Sequence, residues 1–125
     1  MMRLLFALVA LLSLAAAPAS AQERRILELR GLDKVTARIS RLELEIGKPA
    51  RFGTLEIVAQ SCAKRPPEEP PEVTAFLEIN EVRPGRIAQK LFSGWMFASS
   101  PALNALEHPV YDVWVIDCRT VAPGR

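Results

Sequence analysis

Histidine is the side chain best suited to move protons near neutral pH, and this chain has a single one, His108. Asp112 follows four residues later, with Ser93, Ser99 and Ser100 upstream. A serine–histidine–acid set is defined by geometry rather than by chain order, so these residues admit a hydrolase using His108 with a nearby serine or acid. Two features count against it. No G-x-S-x-G elbow surrounds any serine, and Ser99-Ser100 stands where a helix would want its cap. Metal chemistry has less to build on, because the chain has no H-E-x-x-H, no C-x-x-C and no D-x-[DN]-x-[DN]-G loop. Glu43 and Glu45 share one strand face, but charged residues alternating with apolar ones mark a solvated sheet surface rather than an acid–base pair. No catalytic residue, metal ligand or cofactor is therefore assigned.

Binding chemistry has more to work with. Leu91-Phe92-Ser93-Gly94-Trp95-Met96-Phe97 places large apolar side chains of both parities around a glycine. Trp95 and Phe97, with Tyr111 and Trp114 further on, are either core or an outward aromatic surface for a partner. Flat rings stack on sugar faces, which makes peptidoglycan glycan one candidate ligand beside an envelope protein. Residues 64–72 hold prolines at 66, 67, 70 and 71 among charged residues. Prolines cannot donate to a ladder, so the segment reads as an exposed, polyproline-like loop. It is either a stiff connector or a preformed ligand for an aromatic groove, with Pro67 and Pro70 presented.

The elements that must position these groups read as strands. Leu27 and Leu29 alternate with Ile26, Glu28 and Arg30, and Gly31 with Asp33 suggests a turn. Val35, Ala37 and Ile39 share one parity, whereas Leu42, Leu44 and Ile46 share the other, which predicts a bulge or bend near Ser40-Arg41. A strand from Phe52 to Cys62 puts Leu55, Ile57 and Ala59 on one face, and one from Val73 to Val82 does the same with Ala75, Leu77 and Ile79. Arg83-Pro84-Gly85-Arg86 has tight-turn chemistry. Ile87–Phe97 follows as a strand. Ser100–Leu106 is the one helical candidate, with Pro101 at its first position and His108-Pro109 at its exit. In the last strand, Val110–Cys118, the alternation puts Trp114, Ile116 and Cys118 on one face and Val113 and Val115 on the other, which predicts a central strand. Six or seven short strands and one short helix define an all-β chain, an antiparallel β-sandwich or a small barrel.

The compartment follows from the first residues. Arg3, an apolar run from Leu4 to Ala17, Pro18 and Ala19-Ser20-Ala21 have the order of a cleavable secretory signal, expected to be cut after Ala21. The apolar run is about 14 residues, short of the roughly 20 that span a bilayer. Residues 22–125 then form one β-rich domain, with no later segment apolar enough to cross a membrane, and the expected location is periplasmic. Losing Arg3 lowers the formal net charge from +2 to +1, and the charges are interspersed, so nucleic acid is discarded as a partner. In an exported chain Cys62 and Cys118 have one possible intramolecular pairing, expected to stabilise the domain by roughly 4 kcal/mol; the alternative is two buried free thiols, should their Cα atoms lie beyond bridging distance.

The stretches Gly31-Leu32-Asp33-Lys34-Val35-Thr36, Phe52-Gly53-Thr54-Leu55, Cys62 through Ile79, and above all Leu91 through Cys118 resemble the domain-of-unknown-function 2155 family of predicted exported bacterial proteins. The segment FSGWMFASSPALNALEHPVYDVW is the most specific part. The family pattern places Gly after Thr36, where this chain has Ala37. The resemblance implies export and a single domain, and it supplies no reaction, substrate or catalytic residue. The expected function is a noncatalytic periplasmic binding or scaffolding module. The alternatives are a cell-envelope hydrolase using His108 and an accessory subunit of an envelope complex.

Overall fold

The computed structural model describes residues 23–122; the expected signal sequence lies outside the described residues. Seven strands run β1 (Arg24–Asp33), β2 (Arg38–Glu45), β3 (Ala50–Phe52), β4 (Leu55–Lys64), β5 (Val73–Glu81), β6 (Gln89–Phe97) and β7 (Tyr111–Val121). They form two antiparallel sheets, ordered β2-β1-β7 and β3-β4-β5-β6. No ladder joins the sheets edge to edge, so the all-β expectation resolves as the sandwich rather than the barrel. Leu27, Leu29, Leu44, Val113 and Val115 from the first sheet pack on Leu55, Ile57, Ala59, Leu77, Ile79 and Met96 from the second. Burying these side chains is what holds the layers together, at roughly 1.5–3 kcal/mol for each large aliphatic one.

Three expectations about local structure are corrected. First, Gly31 and Asp33 do not turn the chain. β1 runs through both, and the turn is Lys34–Ala37, where the Asp33 carboxylate accepts the amides of Val35 and Thr36. Gly31 stays in the strand because the Phe52 ring lies against its Cα, with Phe52 Cζ 2.7 Å from where a Cβ would stand. Second, β2 carries no bulge near Ser40-Arg41. Its register with β1 is unbroken from Asp33↔Arg38 to Ile26↔Glu45. The parity change is absorbed by the turn, which takes Val35 and Ala37, and by leaving Ile39 outside at 61% exposure. Ala37, at the place where the family pattern has Gly, adopts φ 57°.

Third, the predicted helix at Ser100–Leu106 does not form. The segment makes successive four-residue turns, with the Ser100 amide on Phe97 O and the Leu103 amide on Ser100 O. A helix this short needs an apolar stripe to bury, but only Leu106 reaches the core while Leu103 points to solvent. Ser99 finds other work as well: its amide and hydroxyl both bond the Glu72 carboxylate.

Bulges decide which way both cysteines face. In β4 Leu55, Ile57 and Ala59 point inward; Gln60 is an extra residue against β5, so the inward set resumes at Cys62. In β7 Val113 and Val115 point inward, Ile116 is extra against β1, and the inward set resumes at Cys118. Two parity shifts, one in each sheet, thus turn two thiols toward each other. Cys62 and Cys118 form a disulfide between the layers, with Cα atoms 6.0 Å apart. The same bulge corrects the sequence expectation that Cys118 shares a face with Trp114. It also explains why β7 looked central although it is an edge strand.

Candidate functional site

The six residues expected to bind do not converge. Trp95 and Phe97 stand on the outer face of β6. Trp95 is 46% exposed, and its ring meets Phe76 edge-on across the β5–β6 ladder at 5.4 Å and 79°. Phe76 and Trp95 face each other in register, and a T-shaped pair of this kind adds about 1 kcal/mol to its buried area. The Trp95 carbonyl points away from β5 and accepts Asn104 Nδ2 at 2.8 Å, which anchors the β6–β7 crossover to this strand. Trp114 lies half-buried on the outer face of the other sheet, in register with Arg30. Tyr111 is elsewhere again, half-buried at the start of β7. Pro67 and Pro70 are exposed, but the loop is not extended: the Glu69 amide bonds Pro66 O at 3.0 Å and the Arg65 amide bonds Glu72 O at 3.0 Å. Those bonds fold residues 64–72 into a turned hairpin end, the opposite of a polyproline ligand.

What the fold does bring together is a set of polar and aromatic groups from three of the stretches that carry the family resemblance and from Glu81 and Arg83 at the end of β5. His108 is buried. Its Nδ1 accepts the amides of Val110 at 3.0 Å and Tyr111 at 3.1 Å, so the ring proton resides on Nε2, 3.5 Å from Glu81 Oε2. Glu81 Oε1 accepts Arg83 Nε at 2.8 Å and Thr54 Oγ1 at 3.2 Å. The Arg83 hydrogen bond, with the Arg83 charge and the bonds from Thr54 and His108 adding to it, holds the Glu81 carboxyl below the usual range against the opposing effect of burial. Lys34 Nζ reaches His108 O at 2.7 Å and Asp112 at 3.2 Å. The Tyr111 ring lies between Phe52, 5.2 Å away and edge-on, and His108, 5.1 Å away and tilted. Gly53, at φ 57°, lets the chain pass beneath Tyr111, whose ring occupies the space of a Cβ.

This cluster fastens the end of β1, the β3–β4 turn and the entry to β7. It leaves His108 no nitrogen for activating a hydroxyl, and among the described residues no serine hydroxyl bonds it. Ser99 is held by Glu72, and Ser93 pairs with Glu78 on the outer face of β6. His108 is thus not the exit of a helix but the acceptor that closes a turn. Sequence reasoning missed the cluster because its members are dispersed among Gly31–Thr36, Phe52–Leu55, Glu81–Arg83 and His108–Asp112. The one signal was that three of these short stretches, those at Gly31, Phe52 and His108, carry the resemblance. Among the described residues no group of three or more His, Cys, Asp or Glu is placed to hold a metal ion.

Fold and staple together define a small antiparallel β-sandwich whose layers are joined by one buried disulfide. The chain belongs to the family described as uncharacterized protein conserved in bacteria (DUF2155), which matches residues 27–118, from β1 through the second cysteine. It is also similar to an uncharacterized protein of Rickettsia prowazekii (strain Madrid E), with 31% identity over 87 residues, covering 70% of this chain and 56% of the relative. The match therefore spans about half the length of that protein. No solved structure matches.

Proposed function

We propose that this chain is an exported, noncatalytic binding or scaffolding module of the bacterial envelope, freed from its leader after Ala21 and acting through the face around Trp95. The observation that carries the proposal is Trp95 itself. A tryptophan left 46% exposed on a sheet face, held rigid by Phe76 and flanked by half-buried Phe97, is a prepaid contact surface for a partner or a sugar ring. The engaged state of His108 supports the noncatalytic part of the reading.

The test is affinity isolation of tagged residues 22–125 from crosslinked envelopes and, separately, from purified peptidoglycan. Wild type is compared with Trp95→Ala, after thermal unfolding has established that both fold. Capture of one protein or of glycan that disappears with Trp95→Ala is the expected result. Capture indifferent to Trp95, or none at all, overturns the role of this face.

A further inference from the structure

Turn tips normally carry small or polar residues, because a large aliphatic side chain there finds nothing to bury against. At the His108 end of the sandwich two tips break that rule. The β1–β2 turn reads Lys34-Val35-Thr36-Ala37-Arg38 and runs into Ile39; the β5–β6 loop reads Arg83-Pro84-Gly85-Arg86-Ile87-Ala88 and runs into Gln89-Lys90. Val35 is 78% exposed and Ile87 is 96% exposed. Ile39 stands on the outer face of β2 beside Leu32, its register partner, so the apolar strip continues from the Val35 tip along the sheet. One tip rises from each layer. The His108 cluster holds both, since Lys34 Nζ bonds His108 O, His108 Nε2 faces Glu81, and Glu81 accepts Arg83. The opposite end differs. Its longest turn, residues 65–72, has Glu68, Glu69 and Glu72 against Arg65, and no exposed large aliphatic.

Neither tip contains a carboxylate. Lys34 spends its charge on Asp112 and Arg83 spends its charge on Glu81. Arg38, Arg86 and Lys90 enter no ion pair among the described residues, and each lies within three positions of an exposed aliphatic. Two carboxylates at this end lack a cation: Asp33, whose oxygen is occupied by the Val35 and Thr36 amides, and Glu107 on the crossover. The excess charge is therefore small, and it is concentrated beside the apolar tips.

We propose that this end of the sandwich docks reversibly on an anionic lipid bilayer. Val35 and Ile87 enter the boundary between headgroups and acyl chains, about 5–10 Å deep, while Arg38, Arg86 and Lys90 lie at the level of the lipid phosphates. A soluble phosphate would use the cations and leave the aliphatics in water; a bilayer uses both. A protein partner would want a contiguous cluster of large side chains, whereas two separate tips suit a surface that yields around each. Docked in this way the strands stand off the bilayer and the Trp95 face stays open, so this surface adds to the binding reading and does not depend on it.

The probe is vesicles of phosphatidylcholine mixed with phosphatidylglycerol, compared with phosphatidylcholine alone, sedimented with residues 22–125 at low salt. The expected result is sedimentation with the anionic vesicles only. Val35→Ser combined with Ile87→Ser should weaken it about tenfold, and Arg86→Gln or Lys90→Gln about fivefold each. Trp95→Ala should leave it unchanged. All four tip side chains are exposed, so thermal midpoints of these variants should match the wild type. Ile87→Trp supplies a second readout: its emission should shift to the blue on anionic vesicles and be quenched by brominated acyl chains. No sedimentation with anionic vesicles overturns the proposal. So does binding that the double serine variant leaves intact, or an Ile87→Trp ring that brominated chains fail to quench, since either reduces the effect to surface charge. An envelope protein captured by the wild type and lost in the double serine variant, with no vesicle binding by either, also overturns it and assigns the tips to a protein. None of these outcomes bears on the Trp95 face.

Discussion

The two ends of the sandwich are closed by opposite means. At one end a covalent bond joins β4 to β7, and its surroundings are Arg25, Ala63, Lys64 and Thr120, with the Arg25 guanidinium bonded to Cys62 O and the Cys118 amide to the Asp117 carboxylate, which Lys64 pairs. At the other, nothing is covalent: His108, Glu81, Thr54, Arg83, Lys34 and Tyr111 hold three connections together through hydrogen bonds and ring contacts. The covalent end tolerates a plain environment because chain entropy does the stabilising in the unfolded state. The polar end must satisfy every buried donor in the folded state, so it depends on particular atoms in particular places.

The largest break in this comparison comes from the disulfide. Replacing both Cys62 and Cys118 by Ala should cost about 4 kcal/mol in urea unfolding, and dithiothreitol should lower the wild-type midpoint toward that of the variant. At the polar end, Gly53→Ala should cost about 3 kcal/mol, combining a strained φ with collision against Tyr111. Much of the loss should return in the double variant with Tyr111→Ala, which a double-mutant cycle would register as coupling. Then comes His108→Ala, which strands the Val110 and Tyr111 amides and should cost about 2 kcal/mol. His108→Asn should recover part of it, because its side-chain oxygen can accept from the same amides; equal loss in both variants would mean that Nδ1 is not what the turn requires.

Smaller effects sharpen the contrast. Ala37→Gly should stabilise by about 1 kcal/mol, since it removes a left-handed alanine from the β1–β2 turn. The smallest concerns pH. The Glu81 carboxyl is held low in the folded state. Its contribution is therefore complete above the ordinary glutamate value and is lost as pH falls through the lowered folded value. Glu81→Gln should flatten that acid-side decline in thermal midpoint and leave the effect of dithiothreitol unchanged.

The strands were readable wherever one face alone is buried. β4 and β5 announce themselves through Leu55-Ile57-Ala59 and Ala75-Leu77-Ile79, whereas β6, apolar at both parities, left Trp95 open between core and surface. Reading failed where a distant group overrules local pattern. Gly31 looked like a turn residue because the ring that demands it, Phe52, is 21 positions away. Cys118 was put on the wrong face because a bulge leaves no mark in an alternation that is apolar on both sides. Ser100–Leu106 had helix chemistry, but Asn104, Ser99 and Leu106 each had a tertiary partner that a helix would not have served. The His108 cluster was illegible for the same reason: its logic resides in two main-chain amides and a glutamate 27 positions upstream.

The order of strands in the first sheet also sets a clock. β1, the first strand in the chain, lies in the middle of its sheet and pairs with β7, the last. Any chain that emerges amino terminus first, from a ribosome or through a membrane pore, holds Leu27 and Leu29 without their final neighbours until β7 arrives. Contacts spanning nearly the whole sequence form slowly, on the scale of roughly milliseconds to seconds for sheet proteins. An unfinished chain has a completed β3–β6 meander but no lid over its apolar face. It would remain in that exposed state until Val113, Val115 and Cys118 dock, and a chain cut short before β7 could never leave it.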